Sequence, residues 1–250
     1  MLKLLDEDSL ELDILKHLNR IKLDDKHVIL LLDSFRLDIG TVIVLPIASA
    51  LDCLDFTMAP VGLDLMRQLV KAVAFIHANR VAHLDLKPNN VLVSFTNNRP
   101  RLVVIDFGVS VFVDSPDTQI EGFVGTPGCV APEVGTEHGP SQRYSPIRAD
   151  LWACGHLLSH IASRFGVREL SMNQLARSLS SGDPRQRPLL KAETTATKHS
   201  RPSDLKMPVP KRTCRDFQLG KPYPIERRKV ITHRFTPLTP PSSHGLFTIA

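Results

Sequence analysis

The sequence predicts an α+β fold for residues 1–190 and an unfolded tail for residues 191–250. Some segments repeat apolar residues every three or four positions, as amphipathic helices do, and short β-branched runs lie between them, as strands do. A change of composition marks the tail. The expected elements are a helix at 6–20, a hairpin of strands 28–35 and 41–46, a helix at 63–78, strands 91–94 and 102–105, and helices at 149–163 and 171–179.

The helices are predicted from their apolar spacing. The first two are defined by Leu10, Ile14, Leu15 and Leu18, and then by Leu65, Leu69, Val73 and Ile76. The helix at 149–163 is apolar over most of its length, and a shorter one follows it. Two long apolar helices are enough to predict a core in the later part of this region, at 47–190.

The strands are predicted from β-branched runs that flank short polar links. RLDIG connects 28–35 to 41–46, and the turn TNNRP lies between 91–94 and 102–105. Because an isolated two-stranded hairpin is marginal in water, we expect residues 1–46 to be loosely held. The leucines of the first helix are then expected to leave apolar surface exposed.

The tail differs from the rest of the chain in charge and in proline content. Residues 191–250 contain 12 Lys/Arg, 4 Asp/Glu and 8 Pro, whereas residues 1–190 contain 19 Lys/Arg and 22 Asp/Glu. Such a segment cannot bury enough surface to offset its ordering entropy, which favours disorder. The basic clusters at 211–212 and 227–229 leave a partner for the tail open, but a nucleic-acid-binding role for the whole chain is not expected.

Composition excludes several classes of protein. The chain is 42% hydrophobic and 23% charged, which is typical of globular domains. No apolar run reaches the ~18 residues of a membrane span, and the acidic N-terminus does not resemble a secretory signal. Four cysteines lie far apart without a CxxC pair. We therefore expect no zinc site, no disulfide framework, no membrane partner and an intracellular location, cytoplasmic or nuclear.

Two carboxylates lie at the ends of short apolar segments. Asp85 lies in VAHLDLKPNNVLV and Asp106 in LVVIDFG. Either one alone could cap a turn. Lys87 and Asn90 follow Asp85 by two and five positions, and this combination favours a catalytic site.

The chain resembles the eukaryotic protein kinase family. HLDLKPNN at 83–90 is similar to the catalytic loop, Asp106-Phe107-Gly108 to the DFG triplet, and Ala131-Pro132-Glu133 to A-P-E. GTPGCVAPE, ADLWACG and DPRQRP extend the resemblance over about residues 5–190. It implies a mainly α-helical C-terminal lobe and an incomplete N-terminal β lobe, with 1–46 as its remnant.

The resemblance implies a role for each matching residue. Asp85 would accept or orient the proton of the substrate hydroxyl, and Lys87 would stabilise the γ-phosphate of ATP. Asn90 and Asp106 would hold Mg²⁺, a cation that prefers oxygen ligands. The nucleotide would also contact the backbone near Leu45 and Ile47.

Other matches concern substrate class and architecture. Lys87 and GTPGCVAPE resemble the Ser/Thr-directed branch, in which Thr126 would bridge the catalytic loop and the substrate site. By the same resemblance Glu133 and Arg187 form a buried ion pair, and Asp150 holds the catalytic loop.

The first departure from the family pattern lies at the N-terminus. Glu11 resembles the regulatory-helix glutamate that pairs with a lysine on an upstream strand, or it is simply a solvated helix residue. Lys3 is expected to lie too close to the helix in sequence to occupy such a strand, and no G-x-G-x-x-G is present. The ATP-positioning lysine and the phosphate-covering loop are therefore predicted to be absent.

Two further departures lie downstream. Leu84 stands where the family usually has an arginine that pairs with a phosphate, so no such switch is expected. Only about twenty residues lie between the last two motifs, 163–183, so a docking surface for partners is expected to be missing.

Two functions remain open from the sequence. The first is a Ser/Thr protein kinase that uses ATP and Mg²⁺ on protein substrates, with doubtful activity in this chain. The alternative is a catalytically silent pseudokinase that binds partners. The complete set Asp85, Lys87, Asn90 and Asp106 favours the enzyme. The expected loss of the lysine and of the phosphate-covering loop favours the silent protein.

Overall fold

The computed structural model describes residues 1–192 except 24, 52, 53, 55–57, 97 and 98. The predicted disorder of the tail therefore falls, apart from residues 191 and 192, outside the described residues. The described residues all belong to a unit that spans Met1–Val209.

Four α-helices and ten strands are present in the described part of the chain. The helices are α1 (Glu11–Arg20), α2 (Ala59–Ala78), α3 (Pro146–Phe165) and α4 (Leu170–Leu179). The strands are β1 (Leu2–Leu4), β2 (Asp33–Leu37), β3 (Gly40–Val44), β4 (Ser49–Ala50), β5 (Val81–Ala82), β6 (Val91–Thr96), β7 (Arg99–Val104), β8 (Val111–Phe112), β9 (Ile120–Glu121) and β10 (Arg143–Tyr144). The α+β fold is thus confirmed.

The ends of the helices follow from capping. A turn in which the Ser9 N–H donates to the Asp6 carbonyl precedes α1, so this helix begins later than its apolar pattern predicts. Ser145 caps α3 by accepting a hydrogen bond from the Arg148 N–H, with Pro146 in the first turn. Gly166 ends α3 in the left-handed conformation, φ 65°.

The strands form two three-stranded antiparallel sheets and two short ladders. The first sheet has the order β1-β3-β2, with Leu4 and Phe35 on either side of Val42. The second has the order β4-β6-β7, and β5 pairs with β8 and β9 with β10. Both predicted strand pairs are present, but the strand predicted at 28–35 forms only over Asp33–Leu37. The strand β1 was not predicted.

The core is continuous from the first strands to the last helix. Ile14, Leu15 and Leu18 of α1 have no exposed surface, and they share one hydrophobic cluster with residues of α2, β7 and α3. The expectation that the first helix exposes its leucines was wrong. Contacts between α1 and residues far along the chain supply the cover that a two-stranded hairpin could not.

Glycines set the close approach of the later helices. A Cβ on Gly62 of α2 would overlap the Phe165 side chain of α3, and a Cβ on Gly155 of α3 would lie 2.7 Å from the Ala176 carbonyl of α4. These contacts place α3 between α2 and α4, beside the loop that follows β5. None of the described helices has the length and apolarity needed to cross a bilayer.

Candidate active site

The loop after β5 brings together four of the residues predicted from sequence. The Lys87 ammonium donates to Asp85 Oδ2 and to Thr126 Oγ1, each at 2.6 Å, and the Thr126 hydroxyl donates to Asp85 Oδ1 at 2.7 Å. The Asn90 amide donates to Asp85 Oδ2 at 2.9 Å. Asp85 is therefore held by three side chains, one of them from a segment 41 positions away.

Asp150 of α3 fixes the backbone on which Asp85 lies. Its carboxylate accepts hydrogen bonds from the N–H groups of His83 and Leu84 at 2.6 and 2.7 Å, and His77 Nε2 lies 3.0 Å from it. Because Asp150 is buried, these partners replace the water that a charged carboxylate would otherwise need. The predicted support of the catalytic loop by Asp150 is confirmed, whereas the contribution of His77 was not predicted.

Leu84 makes an apolar contact between the loop that carries Asp85 and the segment that carries Thr126. It is buried and has φ 64°, an uncommon value for a residue with a Cβ. Leu84 and Val130 line the same small cavity, and a Cβ on Gly125 would lie 2.6 Å from the Leu84 carbonyl. The segment that carries Thr126 thus packs directly against the loop that carries Asp85.

Lys3 occupies the strand position beside Glu11 that was predicted to lack a lysine. It lies on β1, and its ammonium donates to both carboxylate oxygens of Glu11 at 2.8 and 2.6 Å and to Asp106 Oδ1 at 2.7 Å. The prediction that this lysine is absent was wrong. Residues 5–10 turn back between β1 and α1, so a separation of eight positions is enough to bring strand and helix together.

Glu11 is a member of this cluster and not a solvated helix residue. It is 1% exposed, and its Oε1 also accepts a hydrogen bond from the Phe107 N–H at 3.3 Å. A Cβ on Gly108 would lie 3.3 Å from Asp106 Oδ1. The helix, the first strand and the Asp-Phe-Gly triplet are therefore joined at one point.

The charges in the cluster shift the acid–base equilibria of its members. Burial alone would raise the pKa of Asp106, but the Lys3 ammonium, the Gly108 N–H and His83 together hold the pKa below its usual value. Burial alone would lower the pKa of Lys3, but the Glu11 and Asp106 carboxylates raise it above its usual value. Both groups are therefore charged near neutral pH.

The Asp85 and Asp106 groups are joined through Asn90. Asp106 follows β7 with φ 66°, and the preceding Ile105 N–H donates to the Asn90 carbonyl at 3.0 Å. Asn90 thus contacts Asp85 by its side chain and the strand before Asp106 by its backbone.

An ion pair anchors the segment that carries Thr126. Glu133 and Arg187 form two hydrogen bonds, of 2.5 and 2.9 Å, and Arg187 is 1% exposed. The Arg187 guanidinium also donates to the carbonyls of Arg148 and Ser181. The predicted ion pair is confirmed, with Arg187 buried and the Glu133 side chain 16% exposed, and it ties this segment to α3.

Asp106 and Asn90 carry the type of oxygen ligand that a magnesium ion completed by phosphate would take. The described residues contain no group of three or more His, Cys, Asp or Glu side chains arranged to hold a metal. Mg²⁺ is usually bound by one or two protein oxygens together with substrate phosphates and water. The Asp106 carboxylate and the Asn90 side-chain carbonyl, whose amide already donates to Asp85, fit this limited role.

The two residues predicted near the nucleotide base lie just beyond β3. The Leu45 N–H donates to the Met1 carbonyl at 2.9 Å, and the Met1 amine donates to the Leu45 carbonyl at 2.7 Å. Ile47 is exposed. Both main-chain groups of Leu45 are thus used within the sheet, while contact of Leu45 and Ile47 with a nucleotide stays a prediction.

The described structure thus contains two clusters: a lysine–glutamate pair beside the Asp106 carboxylate, and a lysine–threonine pair beside the Asp85 carboxylate. The sequence model of the family described as "Protein kinase domain" matches residues 7–207. The chain belongs to the protein kinase family.

Curated relatives agree with this assignment. The chain is 46% identical over 94 residues to CBL-interacting protein kinase 19 of Oryza sativa subsp. japonica, which covers 37% of this chain and 17% of that protein. It is 31% identical over 154 residues to the human phosphorylase b kinase gamma catalytic chain, liver/testis isoform. This match covers 57% of this chain and 36% of that protein. It is 36% identical over 120 residues to CBL-interacting serine/threonine-protein kinase 15 of Arabidopsis thaliana. This match covers 47% of this chain and 27% of that protein. The chain thus spans between about a sixth and about a third of these relatives.

Proposed function

We propose that this chain transfers the terminal phosphoryl group of ATP to serine or threonine hydroxyls of proteins, with Mg²⁺ as the metal. The observation that carries the proposal is the joint placement of two charge clusters. One consists of Asp85, Lys87 and Thr126, and the other of Lys3, Glu11 and Asp106.

The first cluster is suited to the acceptor. Asp85 can orient a substrate hydroxyl and accept its proton, because its carboxylate is held from three directions. Lys87 provides a positive charge beside that carboxylate, where negative charge develops during phosphoryl transfer. Thr126 ties both groups to the segment that a protein substrate would contact.

The second cluster is suited to the donor. Lys3 supplies an ammonium on a strand, and Glu11 limits the rotamers of that side chain. Asp106 and Asn90 supply the oxygens for the metal, which would neutralise phosphate charge when bound. Phosphoryl transfer depends mainly on positioning and electrostatics, which these fixed side chains provide.

The silent alternative loses one of its two supports, because the lysine predicted to be missing is present in contact with Glu11 and Asp106. Its other support, the absence of a G-x-G-x-x-G from the sequence, is unchanged. Relatives named as protein kinases favour the enzyme as well. An intracellular location and a partner for the basic tail remain proposals from the sequence.

The test is phosphotransfer by the purified 250-residue chain. Radiolabelled ATP and Mg²⁺ are supplied with a peptide library that contains Ser, Thr or Tyr as the single acceptor. We expect label on Ser and Thr peptides, little on Tyr peptides and none after chelation of Mg²⁺. Absence of label on every acceptor, from protein that is folded by circular dichroism, would contradict the proposal.

A further inference from the structure

His17 lies in the last turn of α1, beside the turn that connects α2 to β5. Its Nε2 lies 3.1 Å from the Asn79 carbonyl, and because a carbonyl can only accept, the His17 ring donates this hydrogen bond. The same ring meets the Phe112 ring edge-on, with centroids 5.6 Å apart and planes at 77°. One side chain of α1 thus contacts both the end of α2 and strand β8.

The two groups that His17 contacts are themselves fixed. The Phe75 carbonyl in the last turn of α2 accepts hydrogen bonds from the Asn79 N–H at 3.2 Å and from the Asn79 side-chain amide at 2.7 Å. Phe112 pairs with Val81 in the ladder of β5 and β8. The end of α1 is therefore held against backbone that has its own hydrogen bonds.

Glu11 and His17 attach α1 at two points to the segment that begins with Asp106. Glu11 accepts a hydrogen bond from the Phe107 N–H, and His17 contacts Phe112 further along the same segment. Six positions separate the two attachments on α1, which is about 9 Å along the helix axis. Apolar packing of the helix against the core is non-directional. Two directional contacts at separate points therefore set the tilt of α1.

We infer that His17 is a positioning residue of the donor side of the site: it holds α1 in the orientation in which Glu11 pairs with Lys3. The inference rests on the proposed function and adds to it a residue that does not touch the reacting groups. Glu11 accepts from the Lys3 ammonium with both carboxylate oxygens, at 2.8 and 2.6 Å. A tilt of α1 that moves Glu11 away therefore also frees the Lys3 side chain from its rotamer.

The contacts of His17 contribute little to the core. The Phe112 side chain is 44% exposed, and His17 is half-buried. Substitution of either residue should therefore leave the fold intact. The consequence is expected in the geometry of Lys3 and Glu11.

The experiment compares four variants of the full chain. His17→Leu removes the donor to Asn79, whereas His17→Gln keeps an N–H that can donate to the same carbonyl. Phe112→Ala removes the ring contact alone. His138→Leu makes the same change as His17→Leu at an exposed histidine and serves as the matched control.

The first measurement uses neither nucleotide nor turnover. Acetic anhydride acetylates neutral amines, and mass spectrometry gives the rate at Lys3 relative to that at the exposed Lys191. Although burial lowers it, the pKa of Lys3 is raised overall by the Glu11 and Asp106 carboxylates, which keeps the amine protonated and slow to react. We expect severalfold faster acetylation of Lys3 in His17→Leu and in Phe112→Ala, and the native rate in His17→Gln and His138→Leu.

The second measurement is steady-state phosphorylation of a Ser peptide. His17→Leu should raise the KM for ATP by about fivefold or more, the lower end of the coupling usual between separate sites. The KM for the peptide should stay unchanged, and His17→Gln should restore the native KM for ATP. A merely structural role would lower kcat through a smaller active fraction and leave both KM values unchanged.

The outcomes separate this inference from the proposed function. Native acetylation of Lys3 in His17→Leu, no restoration by His17→Gln, or a fall in kcat alone would overturn the inference and leave the kinase activity intact. Faster acetylation of Lys3 in a chain that transfers no phosphate supports the positioning of Glu11 by His17 and overturns the activity. If His17→Leu does not fold, Phe112→Ala decides by the same acetylation readout.

Discussion

Lys3 and Asp106 are 103 positions apart, yet the Lys3 ammonium donates a 2.7 Å hydrogen bond to the Asp106 carboxylate. The same ammonium is paired with Glu11, so one positive charge faces two negative ones. The excess negative charge favours a cation beside Asp106. Lys3 also links the first strand to the Asp-Phe-Gly segment, so the geometry of the donor side depends on the N-terminal residues of this chain.

Lys3→Met should remove this link and lower the phosphotransfer rate. Removing one preorganised hydrogen-bond donor that faces developing negative charge costs about 10²–10³-fold in rate, and Glu11 and Asp106 would be left with uncompensated charge. Steady-state phosphorylation of a Ser peptide measures the effect. Lys16→Met, an exposed lysine of α1, is the matched control and should retain the native rate.

Asp85→Asn should slow phosphotransfer by about 10²–10⁴-fold, because the amide cannot accept the hydroxyl proton. Asn can keep part of the hydrogen bonding to Lys87 and Thr126, so the thermal midpoint should change little. Single-turnover rates and thermal unfolding are measured together, with the exposed Asp117→Asn as control. Equal rates for the Asp85 and Asp117 variants would contradict the assigned role.

Local spacing was sufficient to predict the acceptor side of the site. Asp85, Lys87 and Asn90 lie within six residues of one another, so a single loop sets their geometry. Thr126 was placed correctly only through its resemblance to a known segment, because no local pattern connects it to Asp85. The contribution of His77 was not predicted, because nothing in a single sequence connects a histidine on α2 with Asp150 on α3.

The donor side could not be predicted in the same way. A strand of three residues such as β1 is too short to show a period of two, and it is defined here by pairing with β3. The same long-range pairing puts Lys3 next to Glu11. The burial of Leu15 likewise depends on residues far along the chain, which hydrophobic spacing within α1 cannot reveal.

Arg187→Ala should destabilise the fold strongly. Removing one partner of a buried ion pair costs about 3–5 kcal/mol, because Glu133 loses its counter-charge, and the carbonyls of Arg148 and Ser181 lose a donor as well. The free energy of unfolding from urea titration is the measurement. Arg185→Ala removes an exposed guanidinium two positions away and should have little effect.

His27 should make stability fall in mild acid. It is buried, and burial lowers its pKa below the usual 6.5 although the Leu102 carbonyl, 3.0 Å from Nδ1, partly opposes the shift. Just below pH 6.5 the unfolded chain therefore binds more protons than the native chain. The stability that is present above the usual pKa is lost as the pH falls through this range. Thermal midpoints at pH values of about 7.5 and about 5.5 should differ less in His27→Asn than in the native chain, because the titrating ring is removed. Asn is the replacement because it tolerates the φ of 52° at this position. His138→Asn, at an exposed site, should keep the native pH dependence.

Leu15→Ala should weaken the whole described fold and not only its N-terminal part. Leu15 has no exposed surface and belongs to the cluster that also contains Leu69 of α2 and Leu151 of α3. A substitution of this kind costs about 2–5 kcal/mol. If residues 1–46 fold together with the later helices, the amides of α1 and α3 should lose hydrogen-exchange protection to the same extent. Leu2→Ala, at a side chain that is largely exposed, should leave both helices protected. Loss of protection confined to α1 would show instead that the N-terminal residues unfold separately from α3, the helix that carries Asp150.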